Sequence, residues 1–128
     1  MRIEYVIKSS LSSLRILSLL LMMAYLLACI KVDTPPSLEI TVLDQYNNPV
    51  EEVLVTIFDS QEEWAMRENP LQAWKMTDGN GKVMFVNLQE TNYFIYAEKG
   101  KLNNLKNEIK TADNLLNNQI RLIRIHVD

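Results

Sequence analysis

The chain has 128 residues, with 13 basic and 16 acidic side chains and a net charge of −3. Residues 29–128 alone hold 10 basic and 15 acidic side chains, a net charge of −5, because the first 28 residues take three basic and one acidic side chain. This balance excludes nucleic acid as an expected partner, since phosphate groups require a basic surface. The single cysteine, Cys29, excludes an intrachain disulfide, and residues 29–128 suffice for one domain with a modest core.

The first 28 residues have the three-part pattern of a secretory signal. Their beginning is basic, and residues 16–28 form an apolar core. A membrane-spanning helix needs about 20 apolar residues, and this core is shorter. The pattern therefore predicts a signal peptide over residues 1–28.

The end of this core, Leu26-Leu27-Ala28-Cys29, resembles the lipobox of bacterial lipoproteins. The resemblance implies cleavage between Ala28 and Cys29 and acylation of Cys29, for which palmitate is a suitable label. Two or more acyl chains anchor a protein stably to a membrane. Ile30 follows in place of the aspartate that marks inner-membrane retention, so the resemblance implies the outer membrane of a Gram-negative cell, on its periplasmic or cell-surface face. Residues 29–37, which include two prolines, are predicted to be a lipidated tether. The alternatives are an ordinary secretory leader and an uncleaved short anchor.

Residues 38–128 are predicted to form an all-β domain with one short helical insertion. Alternating apolar residues and turn signals predict seven strands at residues 38–44, 53–59, 72–77, 82–87, 93–99, 108–111 and 119–127. Ser60 and Glu63 form a capping box that begins a helix through about Arg67. The turn at residues 78–81 is expected to join the third and fourth strands as a hairpin. A phase change in the last strand predicts a bulge near Leu122, and residues 100–107 read as a polar loop.

This strand pattern predicts an antiparallel, seven-stranded Greek-key β-sandwich, preceded by the signal-peptide helix. Leu38-x-Ile40-x-Val42, Asn48-Pro49-Val50, Thr77-Asp78-Gly79-Asn80-Gly81 and Tyr93-x-Ile95-x-Ala97 resemble a carboxypeptidase regulatory-like, or prealbumin-like, domain. The resemblance covers residues 37–100, with Asn92 where the family usually has glycine. It implies a prealbumin-like sandwich and says nothing specific about function.

The residues of this chain offer little catalytic chemistry. His126, the only histidine, is interpreted as an ordinary strand residue. Asp78-x-Asn80-Gly81 is interpreted as a turn and not as a calcium loop, and the acidic pairs Glu51-Glu52 and Glu62-Glu63 as solvated surface. The first strand has no lysine, so the Lys–Asn crosslink of pilin-like sandwiches is not expected. We therefore predict no catalytic residue, no metal site and no cofactor.

Aromatic side chains give the better indication of a binding surface. Phe94 and Tyr96 are expected to face outward on the fifth strand, with outward Met84 and Val86 on the neighbouring strand. The candidate patch for a protein partner or a glycan consists of Trp64, Trp74, Phe94 and Tyr96. The alternative is a satellite core, in which the inserted helix lays Trp64 and Met66 over this face.

The function that these features predict is that of a lipid-anchored, non-catalytic envelope protein. It is expected to be a structural or protein-interaction module, held at the membrane through acylated Cys29, with an envelope protein as a possible partner. A carbohydrate- or small-ligand-binding surface lipoprotein is the second hypothesis. An enzyme is the third, since no polar groups are expected to converge on one site.

Overall fold

The computed structural model describes residues 2–28 and 32–128, in two compact units divided between Val32 and Asp33. The first unit holds the helix α1, Arg2–Ala28. Within α1, the exposed segment Ser10–Ala28 has 19 residues and a mean hydropathy of 1.9. It is longer than the apolar core at residues 16–28 and, contrary to the expectation from that core, long and apolar enough to cross a bilayer; it also fits a signal sequence. Cys29, the predicted lipidation site, lies outside the described residues.

The second unit consists of two β-sheets and one short helix. In chain order its elements are β1 Ser37–Leu43, β2 Leu54–Phe58, α2 Gln61–Met66, β3 Lys75–Met76, β4 Lys82–Phe85, β5 Phe94–Lys99, β6 Leu102–Asn103 and β7 Ile120–His126. One sheet has the strand order β4-β1-β7 and the other the order β3-β2-β5-β6. The unit is therefore mostly β, as the sequence predicts.

The core consists of the apolar residues that alternate along the strands of both sheets. In β1, for example, Leu38, Ile40 and Val42 are fully buried, whereas the residues between them are half-buried. Period-two alternation places such residues on one face of a strand. The core takes in buried residues of β2, β4, β5 and β7 and of the connecting loops, notably Val55, Ile57, Phe85, Tyr93, Ile95, Leu115 and Ile125.

Ser60 caps the beginning of α2, as expected from the first half of the predicted capping box. The Ser60 hydroxyl accepts the Glu63 N–H at 3.2 Å, which satisfies one of the free amides of the first turn. Arg67 ends the helix in the left-handed conformation, at φ 57°. The side chain of Arg67 extends back over the β3-β2-β5-β6 sheet, where its guanidinium contacts the ring of Tyr96.

Two expectations about strand pairing are wrong. The sandwich is not wholly antiparallel, since β1 pairs with β7 in parallel from Ser37↔Ile120 to Leu43↔His126. The turn at residues 78–81 does not close a hairpin, because β3 pairs with β2 while β4 pairs with β1 in the other sheet. Gly81 holds this crossing close to β1, where a Cβ atom would lie 2.7 Å from the carbonyl oxygen of Val42.

The carboxy-terminal third of the chain also departs from the expectations. There is no bulge near Leu122, because β7 pairs with β1 over seven consecutive residues. Residues 108–111 form a single bridge, Phe94↔Lys110, in place of a sixth strand, and the expected polar loop contains the short strand β6. The phase change in β7 instead leaves Ile120 and Leu122 exposed on the outer face of the sheet.

A buried asparagine in this region replaces part of a strand. Asn104 is fully buried, and its Oδ1 accepts the Ala97 N–H at 2.9 Å. Its Nδ2 donates to the carbonyl oxygens of Ile95 and Glu108, each at 2.9 Å. The side chain thus pairs with backbone groups of β5 that a neighbouring strand would otherwise satisfy.

Candidate functional site

The predicted aromatic patch lies on and above the outer face of the β3-β2-β5-β6 sheet. Phe94 and Tyr96 alternate with the buried Ile95 on β5 and are half-buried. Trp64 is on α2, and Trp74 immediately precedes β3. The connection from α2 to β3 thus places both tryptophans near this face.

Trp64 is attached to the sheet by its ring nitrogen. Its Nε1 donates to the carbonyl oxygen of Ile95 at 3.0 Å, and the residue is half-buried. The guanidinium of Arg67 lies 4.7 Å from the Trp64 ring centroid and 3.9 Å from that of Tyr96. Such contacts combine cation–π attraction with packing of the arginine stem. Trp64 therefore contributes to a small satellite cluster over the sheet.

Tyr96 closes the other side of this cluster. Its hydroxyl donates to Oε2 of Glu98 at 2.8 Å. Partial burial raises the pKa of Tyr96, and the hydrogen bond to Glu98 raises it further, because the phenolate would face a carboxylate. The phenol therefore remains a neutral hydrogen-bonding group at physiological pH.

A groove of about 370 Å³ opens beside this cluster, with both apolar and charged groups in its wall. Its wall includes Leu54, Arg67, Ala73, Trp74, Tyr96 and Glu98. Trp74 is 56% exposed, so one aromatic side chain is available at the rim. An exposed ring beside an arginine and a carboxylate suits a small polar ligand with an apolar face.

The structure brings together only part of the predicted patch. Trp74 and Tyr96 line the groove, and Trp64 contacts it through Arg67, whereas Phe94 is absent from its wall and faces Lys110 Nζ at 5.4 Å from its ring centroid. Met66, expected in the satellite core, is 64% exposed.

The expected position of Met84 and Val86 beside β5 is wrong. Met84 belongs to β4, which pairs with β1 in the other sheet, and Val86 follows β4 directly. Both side chains are exposed, as expected, but on the opposite side of the sandwich from the aromatic patch. The alternation of residues 82–87 therefore predicted the faces of the strand correctly and its neighbour incorrectly.

Asp78, which was considered above for a calcium loop, and Asp44 both accept hydrogen bonds within turns. Oδ1 of Asp78 accepts the N–H groups of Asn80 and Lys82 at 2.9 and 3.0 Å. Oδ1 of Asp44 accepts the N–H groups of Asn48 and Tyr46 in the same way, at 2.9 and 2.8 Å, and these hydrogen bonds lower the pKa of Asp44. Among the described side chains, those of residues 10–28 and 32–128, no three His, Cys, Asp or Glu groups cluster in a way that could hold a metal ion.

His126 does more than the interpretation as a plain strand residue suggests. Its Nε2 lies 2.7 Å from Oδ1 of Asn47, and its Nδ1 lies 3.3 Å from Oε1 of Glu108. Its backbone N–H donates to Oε2 of Glu108 at 3.0 Å. Partial burial acts to raise the pKa of Glu108, but hydrogen bonds from backbone amides and from His126 outweigh it and lower that pKa. No local sequence signal joins these residues, because they are far apart along the chain.

The outer face of the β4-β1-β7 sheet forms a second, broader depression of about 980 Å³. Its wall includes Glu39, Thr41, Lys82, Leu122, Arg124 and His126. Lys82 and Glu39 form an ion pair at 3.5 Å. This face therefore has the Lys82–Glu39 ion pair towards β4 and the exposed side chains of Leu122 and Arg124 on β7.

No protein-family model matches the chain, and no curated protein matches it. Among solved structures, the Bacillus anthracis TIE protein is similar to it, with a TM-score of 0.50 and 18% identity over 77% of this chain and 17% of that chain. The BcpA major pilin subunit of Bacillus cereus gives 0.48 and 15%, covering 74% of this chain and 30% of that one. The group B streptococcus pilus 2b backbone protein gives 0.43 and 12%, covering 72% and 41%.

These likenesses concern the fold alone. The match to the TIE protein covers 77% of this chain, and this chain spans less than half the length of each of the three structures. The carboxypeptidase regulatory-like resemblance stays a prediction.

Proposed function

We propose that this chain is a lipid-anchored, non-catalytic protein of the outer membrane, and that its β-sandwich is a structural or protein-interaction module. The observation that carries the proposal is the exposed apolar helix Ser10–Ala28, followed at once by the only cysteine of the chain. An apolar helix whose residues are all exposed is stable in lipid and unfavourable in water. A thiol directly after it is in the position where a lipoprotein is acylated.

The polar clusters of the sandwich support a non-catalytic role. The carboxylates of Asp44 and Asp78 accept backbone N–H groups and thereby stabilise turns. The carboxylate of Glu108 accepts the backbone N–H of His126 and lies beside the His126 ring at the end of β7. A general base or nucleophile acts from a space that a substrate can enter. His126 lines the depression on the β4-β1-β7 sheet, but its ring nitrogens already lie within hydrogen-bond distance of Asn47 and Glu108. These groups serve the fold, which is what a structural or interaction module requires.

Metabolic labelling with radioactive palmitate tests the anchor. The wild-type protein is expected to become labelled, and Cys29→Ser is expected to abolish the label while Ser37→Ala, a control at the start of β1, retains it. Mass spectrometry should find the mature amino terminus at residue 29. An unlabelled wild-type chain, or a terminus elsewhere, would refute the anchor.

Membrane fractionation tests the outer-membrane assignment. The labelled wild-type protein is expected in the outer-membrane fraction, and Ile30→Asp is expected to retain it in the inner membrane. A protein that carries the label but stays in the inner membrane would leave the lipid anchor standing and refute the location. For a protein found in the outer-membrane fraction, protease accessibility in intact cells would assign the periplasmic or the cell-surface face.

The exposed ring of Trp74 favours a second candidate function, the binding of a carbohydrate or another small ligand in the groove. Pyranose rings stack on exposed aromatic side chains, and Arg67 and Glu98 supply hydrogen-bonding groups beside Trp74. On a glycan array, binding that Trp74→Ala abolishes would support this candidate. Tyr46→Ala, which removes an exposed aromatic side chain in the turn after β1, is the matched control.

A further inference from the structure

The two edges of the β4-β1-β7 sheet differ in how their backbone groups are satisfied. Beyond β4, Lys75 Nζ donates to the carbonyl oxygen of Met84 and Gln72 Nε2 to that of Val86, both at 2.7 Å. These side chains close that edge against another strand. β7 forms the opposite edge.

The pairing of β7 with β1 determines which backbone groups of β7 face outward. The N–H of Val127 donates to the carbonyl oxygen of Leu43, and the N–H of Ser37 donates to that of Gln119. Odd-numbered residues of β7 therefore bond to β1, and in a parallel ladder the even-numbered residues direct their N–H and C=O groups to the other side. These are the backbone groups of Ile120, Leu122, Arg124 and His126.

The last of these positions is already occupied. At His126, the N–H donates to Glu108 Oε2 at 3.0 Å, and the carbonyl oxygen accepts Asn107 Nδ2 at 3.1 Å. At the other end, the chain before β7 is tied to the start of the sandwich, where Asn118 Oδ1 accepts the N–H of Thr34 at 2.8 Å. Among the residues that the structure describes, no strand pairs with the segment from Ile120 to Arg124 on this side, and we call this open edge the β7 window.

The side chains of the β7 window are those of a contact surface. Ile120 and Leu122 are 58% and 68% exposed, and Arg124 is also exposed. Edge strands usually carry charges, prolines or bulges that prevent pairing. This window has no bulge, and of its two arginines Arg121 is paired with Asp113, which leaves Arg124 as its one unpaired charge. A strand with exposed apolar side chains and outward backbone groups can accept an extended segment as an additional strand.

The charge of the window indicates the chemistry of its partner. Among the side chains that the structure describes, Lys82 pairs with Glu39 and Arg121 with Asp113, but Arg124 is in no ion pair. A second copy of β7 would bring no carboxylate to Arg124, because Ile120–His126 contains no acidic residue. A foreign segment with an acidic side chain opposite Arg124 would complete the pairing.

We infer that the β7 window binds an extended segment of a partner protein, with apolar side chains over Ile120 and Leu122 and a carboxylate at Arg124. This inference rests on the proposed role as an interaction module and specifies the partner. The segment adds as a fourth strand next to β7, and its length is about five residues, set by the capped position at His126.

The test uses the full-length chain in detergent micelles and two synthetic peptides, Thr-Glu-Thr-Val-Thr-Val-Thr for antiparallel addition and Thr-Val-Thr-Val-Thr-Glu-Thr for parallel addition. Residue-resolved amide hydrogen exchange by NMR is measured with and without each peptide. One peptide is expected to slow exchange at Ile120, Leu122 and Arg124, while Arg121 and Ile123, already bonded to β1, change little. Protection without this alternation, or no protection with either peptide, would overturn the inference.

Variants of the window test the two kinds of contact separately. Leu122→Lys is expected to weaken the peptide affinity about fivefold, through lost apolar contact, and Met84→Lys at the closed edge is the control expected to change nothing. Arg124→Glu is expected to weaken it about twofold to fivefold, as for an exposed ion pair, and a peptide with lysine in place of glutamate is expected to restore it.

A second copy of the chain is the competing occupant. If sedimentation shows a dimer that Leu122→Lys disrupts and the peptides do not displace, the window is a self-association site and the partner inference is wrong. Palmitate labelling of Leu122→Lys separates this inference from the anchor. A labelled wild-type protein that fails the peptide test refutes the window alone, and an unlabelled wild-type protein refutes the anchor alone.

Discussion

Replacing the buried Asn104 by alanine should destabilise the sandwich by about 3 kcal/mol. The substitution leaves the buried Ala97 N–H without its acceptor, which costs about 1–3 kcal/mol. The carbonyl oxygen of Ile95 keeps the hydrogen bond from Trp64 Nε1, and Glu108 is near solvent, so the two lost donor contacts together add about 1 kcal/mol.

Urea unfolding of the full-length chain, followed by tryptophan fluorescence, measures this loss. Both tryptophans belong to the sandwich unit, so the signal reports on the part of the chain that holds Asn104. The urea concentration at the midpoint of unfolding should fall, whereas the slope of the free energy of unfolding against urea concentration should not change. Asn114→Ala, on an exposed loop, is the control and should change the free energy of unfolding by less than about 0.5 kcal/mol. If Asn104→Ala is equally mild, the side chain does not replace a strand in the way described above.

Three further predictions concern other parts of the sandwich. Trp64→Ala should lower the melting temperature clearly. Trp64→Phe, which keeps an aromatic ring beside Arg67 but loses the hydrogen bond to Ile95, should lower it less, at a cost of about 1 kcal/mol for that bond. Gly81→Ala should destabilise more than Gly100→Ala in urea unfolding, because both glycines have positive φ but only the Cβ at position 81 would meet backbone within 4 Å. Because the folded state lowers the pKa of Glu108, this carboxylate stabilises the fold above its unfolded-state pKa, and the stabilisation is lost as pH falls through the folded pKa. Glu108→Gln should therefore weaken the decline of stability between neutral and acid pH, and a decline equal to that of the wild type would contradict this assignment.

Short-range patterns in the sequence predicted the elements of the sandwich better than their partners. Alternation in β1 identifies the buried face, and Ser60 identifies the start of α2, because both depend on neighbouring residues. The pairing of β4 with β1 depends on where the chain crosses between sheets, which periodicity does not specify. The same limit led to the antiparallel prediction for β7, since a strand pattern has no direction.

The candidate site shows the same division between local and long-range information. Outward-facing aromatic residues on β5 follow from alternation, so Tyr96 and Phe94 were placed on the correct face. The groove itself depends on Arg67 folding back from the end of α2, which no local pattern indicates. The frequent asparagines near the end of the chain indicated turns, and burial of Asn104 could be recognised only with β5 in position.

The parallel pairing of the first and last strands constrains the order in which the molecule can assemble. β1 is the middle strand of its sheet, and Ile40 pairs with Val83 on one side and with Ile123 on the other. A ribosome or a translocation channel delivers β7 last, so β1 must wait for nearly the whole polypeptide before its second neighbour arrives. Until then both the core and one side of β1 are open to unwanted association. A chain that crosses a membrane from its amino terminus can therefore finish folding this domain only after β7 has crossed. Until then the domain stays unfolded, which is the state that translocation requires.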